Sequence, residues 1–177
     1  KKQIIFYLSL LASLSTFAQS PDWIAPFGSN QFDEVRDLQV FGQDSFIAVG
    51  QFEGASINFG SITINNSQTP DQASFIVKGD LNGNYVWAHA IEGNSGLPSV
   101  EIDNNGNFYV AGSFQGTINL QPGGSDTLQA NPNNFNGEIF VAKYSPSGNL
   151  LWKQKIKSSS VDLNDISYDG SNNLFIT

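Results

Sequence analysis

Apolar residues fall in short blocks along this chain, and the blocks return at a fixed distance. Phe75 to Trp87 reads FIVKGDLNGNYVW, and Phe140 to Trp152 reads FVAKYSPSGNLLW. Every landmark recurs at an offset of 65: Phe75 and Phe140, Lys78 and Lys143, Gly83 and Gly148, Asn84 and Asn149, Trp87 and Trp152. Two apolar runs separated by a turn ending in Gly-Asn predict a β-hairpin. A hairpin that returns at a fixed period predicts an array of like units.

A second recurrent piece precedes each hairpin. Leu38 to Gly50 is matched by Val100 to Gly112, and a third copy starts at Ile166 and runs to Thr177. Each unit therefore reads as four strands, here named A to D. In the second unit these are Val100 to Asp103, Asn107 to Ser113, Glu138 to Tyr144 and Asn149 to Lys155. Runs such as Phe108-Tyr-Val-Ala are apolar at successive residues, so both faces of the sheet must be covered. Four-stranded blades packed face to face in a β-propeller-like array meet that demand. The fold class expected is all-β, with blade repeats at about 35–91 and 98–156 and a partial one at 163–177.

All the tryptophan lies at one repeat position, with Trp23, Trp87 and Trp152 spaced by 64 and 65. These read as inter-blade packing. Residues 23–27 fall in a strand D slot with no strand C before them, as a closing strand would. Gly50 and Gly112 end strand B in the first and second copies, while Gly83 and Gly148 fall at left-handed turn positions. Lys78 and Lys143 sit mid-strand among apolar neighbours, where their stems can pack between blades while the ammonium reaches solvent or a carboxylate.

Composition narrows the class of partner. The net charge is -8, and a surface of that sign repels phosphate backbones, which argues against nucleic acid. The chain has no Cys, which excludes disulfides and thiolate metal sites. Residues 1–18 carry the three regions of a secretory signal peptide: Lys1-Lys2, the apolar run Ile4 to Leu14, and the small-residue exit ending at Ala18. That run is shorter than the ~20 residues a bilayer span needs. The remainder, 19–177, is expected to be the exported repeat region, at the cell surface or secreted.

The repeats resemble the bacterial β-propeller repeat family known as SBBP. The matching residues are Asn107, Tyr109, Val110, Ala111, Gly112, Phe114 and Gly116, then Phe140, Val141, Lys143, Tyr144, Gly148, Asn149 and Trp152. The resemblance implies blades of a propeller, borne by secreted or surface-attached proteins of gram-negative bacteria and often within large multidomain chains. On that reading the partners include the remaining blades of a longer protein, with a surface protein or polysaccharide as ligand.

The surplus over a simple blade lies between strands B and C, from Gly54 to Ala73 and from Gly116 to Gly137. Each stretch reads as a small projecting ribbon, and loops of this kind are where recognition is usually built. Asn58, Asn66, Asn119, Asp126, Asn133, Asn134 and Phe135 are the candidate binding residues. No cofactor is implied. Asp80 to Asn84 and Asp103 to Asn107 superficially resemble calcium loops, but the twelfth position holds Ile91 or Phe114 where a bidentate Glu is required. Turn chemistry accounts for them, and no metal site is expected. His89 has no counterpart in the other copies and reads as a solvated edge residue. The carboxylates Asp33, Glu34, Asp37, Asp162, Asp165 and Asp169 fall before or within strand A and could converge at a central channel. A glycosidase there would need two of them ~5 to 9 Å apart. The expected function is binding or scaffolding without catalysis. The rivals are a polysaccharide-cleaving enzyme and a passive spacer in a large adhesin.

Overall fold

Side chains of a strand alternate between its two faces, so a strand apolar at every position needs an apolar neighbour on each side. This chain meets that requirement by stacking sheets. The computed structural model describes residues 25–67, 72–121, 123–157 and 163–177. Residues 1–18, where a leader is expected, Trp23 and Asp162 lie outside the described residues.

The described residues form strands and no helix. The first seven are β1 (Phe27–Gly28), β2 (Asp33–Phe41), β3 (Ser45–Phe52), β4 (Ser56–Phe59), β5 (Ile62–Asn65), β6 (Ala73–Asp80) and β7 (Tyr85–Ile91). Six follow in the next repeat: β8 (Ser95–Ile102), β9 (Phe108–Phe114), β10 (Thr117–Asn119), β11 (Thr127–Gln129), β12 (Glu138–Tyr144) and β13 (Leu150–Ile156). Two more, β14 (Ile166–Tyr168) and β15 (Leu174–Ile176), begin a third. The sheets are antiparallel, with order β2-β3-β6-β7 in the first blade and β8-β9-β12-β13 in the second. The expected four-stranded blades are present, and the hairpin β14-β15 supplies strands A and B of the partial third.

Alternation sends the two faces of each blade to different cores. On β3, Ile47 and Val49 face the second blade, while Phe46 and Ala48 face away from it. On β9, Phe108 and Val110 return the contact to the first blade, and Tyr109 and Ala111 face the third. The first seam is closed by a ladder of rings. Trp87 stacks on Phe108 at 6.0 Å between centroids, and Phe108 stacks on Tyr144 at 5.3 Å. The Tyr144 hydroxyl donates to the Leu120 carbonyl at 2.9 Å. Burial pushes this phenol far above its ordinary pKa, so it stays a neutral donor. At the second seam Tyr109 stacks on Tyr168 at 5.8 Å, and Trp152, 43% exposed, meets the Tyr109 edge at 6.0 Å.

The ribbons differ from their expected form. They fold back instead of projecting. In β4-β5, Ile57, Phe59 and Ile64 are buried against the first blade, and Ile118 and Leu120 of the second ribbon are buried in the seam between blades. The described part of the proposed closing strand also behaves differently. Phe27 and Gly28 pair with Phe59 and Asn58 of the ribbon, not with a blade. Glu92, just after β7, bridges to Asn119 of the next ribbon in a related way. Residues 27–28 thus correspond to the exit from a strand D, and Phe27 seals the ribbon by stacking on Phe59 at 5.7 Å. Strand β8 begins earlier than predicted, at Ser95, because a bulge between Gly96 and Ser99 lets the strand pass Pro98, which has no N–H to give a ladder.

Gly50 and Gly112 recur for a steric reason. Each lies directly opposite a phenylalanine on strand C, Phe75 and Phe140, whose ring fills the space a side chain would need. A Cβ on Gly112 would lie 2.7 Å from Phe140 Cε1 and 2.9 Å from the Gly96 carbonyl. Gly112→Ala is therefore expected to cost about 1–3 kcal/mol through overpacking. Gly116→Ala, at φ 64° with nothing within 4 Å, should cost about 1 kcal/mol from backbone strain alone. Denaturant unfolding of the two variants gives the comparison, and a Gly112→Ala midpoint at or above that of the wild type would refute the steric account.

Candidate functional site

Antiparallel connection puts all A–B and C–D turns at one end of the blades. The ribbons, the loop 131–137 and the D-to-A junctions lie at the other. The first end is built from self-contained turns. The Asp80 carboxylate accepts the Asn82 and Asn84 backbone N–H groups at 2.9 and 2.8 Å and the Asn84 side-chain amide at 2.9 Å. Those bonds, that of the Asn84 side chain first, hold its pKa below the usual carboxylate value. Asp103 repeats the pattern with Asn105 and Asn107, and Asp169 with Ser171 and Asn173. In the third turn Asn172, at φ 71°, takes the left-handed place that Gly106 holds in the second. The oxygens whose spacing is that of cation ligands are engaged in holding their own turns.

The lysines of strand C find different partners. Lys143 Nζ lies 2.8 Å from Asp103 and 2.9 Å from the Tyr109 hydroxyl, with the ammonium over the Tyr109 ring. Burial opposes the charge on Asp103, but Lys143 and Asn107 outweigh it and lower its pKa. Phe41 stands where Asp103 stands in the next copy, so Lys78 instead donates to the Pro146 carbonyl across the seam at 3.3 Å. His89 is not solvated as expected. Its ring lies 4.8 Å from that of Trp87, and its Cε1 is 2.9 Å from where a Cβ on Gly148 would be. The second blade's turn covers it, and Nδ1 is buried without a hydrogen-bond partner.

The strand A carboxylates converge in part. Asp37, Ser99 and Asp165 occupy the same position in three successive repeats, one residue before Leu38, Val100 and Ile166. Ser99 Oγ lies 2.9 Å from a carboxylate oxygen of each aspartate. Asp37 also accepts the Val100 backbone N–H at 2.9 Å, a bond from one blade to the next. Asp33 is held by Ser29 and Glu34 by Gln51, away from this point.

At the ribbon end the candidate residues divide. Asn58 is exposed and accepts from Thr63 at 2.7 Å. Asn66 is buried, its side-chain oxygen 3.4 Å from the Gly93 N–H, so it serves a junction and not a surface. Asn119 donates to the Gly124 carbonyl within its ribbon, and Asp126 pairs with Lys153 at 3.1 Å. In the loop 131–137 the side chains of Asn131 and Asn134 accept the backbone N–H groups of Asn133 and Asn136, and Phe135 is 88% exposed.

Beside that loop, between the first two blades, lies a pocket of about 330 Å³ lined by Gln51, Gln72, Asn94, Gly96, Ser113 and Gln115, with Phe114 and Asn136 completing it. The carboxamides are not among the residues that the repeat pattern singles out, yet a signal exists. Gln51 and Gln72 stand where the second repeat has Ser113 and Gly137, so they depart from the pattern that builds the blade.

No protein-family model matches the chain. Over 113 residues it is 31% identical to an uncharacterized WD repeat-containing protein of Acanthamoeba polyphaga mimivirus, a match covering 58% of this chain and 8% of that protein. The chain thus spans a small part of its relative's length. WD repeats form four-stranded propeller blades. The likeness does not extend to the WD dipeptide, since Ile24, Ala88 and Lys153 follow the three tryptophans.

Burial lowers the His89 pKa below its ordinary 6.5. As pH falls, the unfolded chain takes up this proton first, so stability is expected to drop as pH passes below ~6.5 and until the folded pKa is passed. The lowered carboxylates Asp80, Asp103, Glu138 and Asp169 act in a separate window, losing their contribution only as pH falls through the acidic range below ~4. Urea unfolding between pH 7.5 and 5 should show this slope in the wild type and a flat profile in His89→Gln. An unchanged slope in the variant would contradict the assignment.

Proposed function

We propose that this chain is a binding or scaffolding module of an exported β-propeller of the SBBP type, acting at the cell surface through its ribbon end. The observation that supports this most is the division of labour between the two ends of the blades. Turns at one end recur with their hydrogen bonds closed on themselves, while the other end carries an exposed aromatic and a polar pocket on a rigid frame. Binding surfaces are commonly set on irregular segments that a packed scaffold holds in place. The likeness to a WD repeat-containing protein is in keeping with such a role.

Further blades are part of the proposal. The face of the first blade turned away from the second bears an apolar groove lined by Phe27, Val35, Leu38, Phe46 and Tyr85, with Leu38 48% and Val40 55% exposed. This is the face that a neighbouring blade covers elsewhere in the array. The enzymatic alternative draws on Asp37 and Asp165, which meet at Ser99. We favour a clasp between blades, because Asp37 also ties down the Val100 backbone of the next blade.

The test is export and binding of one preparation. Expressed in a gram-negative host, the chain is expected to leave the cytoplasm and to begin at Gln19. The purified product, applied to arrays of surface polysaccharides and surface proteins, should lose several-fold in binding when Asn58 and Asn133 are replaced by Ala. Replacement of the turn residues Asn82 and Asn104 should change nothing. Equal effects at the two ends, or retention of 1–18 in the cytoplasm, would overturn the proposal.

A further inference from the structure

We infer that the pocket between the first two blades, together with Phe135, is a binding site for a neutral saccharide; this rests on the reading of the ribbon end as a recognition surface. Four observations carry it. The first is the chemistry of the lining. Gln51, Gln72, Asn94, Gln115 and Asn136 bring five carboxamides to one concavity, with the Ser113 hydroxyl, and among the described residues no charged side chain lines it. A carboxamide both donates and accepts, which suits hydroxyl groups that do the same. A volume of about 330 Å³ is at the lower end of small-ligand sites, enough for a unit or two of a chain.

The second observation is the floor. Gly96 is buried and has no side chain, and a Cβ built there would lie 3.3 Å from Gln51 Oε1 and 3.5 Å from Gln72 Oε1. Two acceptors of the first blade therefore converge over a bare backbone of the second. Ser113 holds that backbone by donating to the Gly96 carbonyl at 3.2 Å.

The third is the exposed ring. Leaving a phenylalanine in water forgoes the stabilisation that its burial would contribute. Here the backbone that carries the ring is also held in place. Gln115, a wall of the pocket, donates to the Phe135 carbonyl at 3.1 Å, and the next residue, Asn136, lines the pocket. Asn134 accepts the Asn136 N–H and donates to the Gly137 carbonyl, which clamps the turn on both sides. An exposed apolar ring on a held backbone, next in sequence to the amide of Asn136, is complementary to a pyranose, whose C–H face stacks while its hydroxyls bond.

The fourth is charge. At a net -8 the chain repels polyanions, and the neutral lining offers them no compensating cation. Neutral glycans are thereby favoured over uronic or sulfated ones.

The test uses the whole chain and two series of soluble probes: the neutral polysaccharides glucan, galactan, mannan and xylan, and the anionic polymers alginate and heparin. Affinity electrophoresis and calorimetry should show binding to at least one neutral probe and none to the anionic pair. Phe135→Ala is exposed and should leave unfolding unchanged while weakening that binding roughly tenfold. Gln72→Ala should weaken it by about fivefold, the loss of one neutral hydrogen-bonding group. Gly96→Ala places a methyl on the floor without removing a polar group and should also weaken it. Binding only to anionic probes, no binding to any neutral probe, or neutral binding indifferent to all three substitutions would each overturn the inference. Should neutral binding persist in these variants but fall on replacement of Asn58 and Asn133, this site is wrong while the ribbon-end reading stands.

Discussion

A blade of this protein cannot be stable alone, because both its faces are apolar. Strand β3 is buried along its whole length, and successive residues go to opposite cores. Each sheet therefore depends on its neighbour to remove from water the side that it cannot cover itself. The rest of the architecture serves that contact. Gly112 admits the Phe140 ring, Trp87, Phe108 and Tyr144 stack through the seam, and the ribbon of the second blade closes it from the side with Ile118 and Leu120.

Polar groups act mainly as fasteners on the same frame. Asp37 receives the backbone N–H of Val100 from the next blade, and Lys78 reaches the Pro146 carbonyl across the seam. Lys143 neutralises the buried Asp103, while Lys155 at 2.9 Å does the same for Glu138 and holds that carboxyl's pKa down. Such pairs add little net stability compared with an apolar filling, but losing one partner leaves a buried charge unmatched. Among the described residues, His89 Nδ1 and Ser74 Oγ are buried without a hydrogen-bond partner.

The blades were legible because their determinants are local and periodic. The 65-residue offset between Phe75 and Phe140 fixes strands C, and Gly83 and Gly148 mark turns whose left-handed backbone the structure contains at φ 87° and 82°. The ribbons were legible as hairpins, but not their direction, since a short strand such as Ser56–Phe59 carries no information on which sheet its Ile57 and Phe59 will meet. Residues 23–27 matched a strand D by tryptophan spacing, whereas the pairing of Phe27 depends on a ribbon about thirty residues on. His89 looked solvated because nothing along the chain reveals that Gly148 of the next blade will cover it. The pocket shows in the sequence only as a departure from the repeat at Gln51 and Gln72. Gln51, Gln72 and Gln115 follow no pattern, and only the seam between blades brings them to one place.

The claim that stability resides in the seam is tested most directly by native-state hydrogen exchange on Phe108→Leu, which thins the ring stack from the second blade's side. The account predicts that amides of β3 and β6 in the first blade lose protection together with those of β9 and β12. Loss confined to β9 and β12, with the first blade's amides as slow as in the wild type, would mean that each sheet holds itself and would contradict the account.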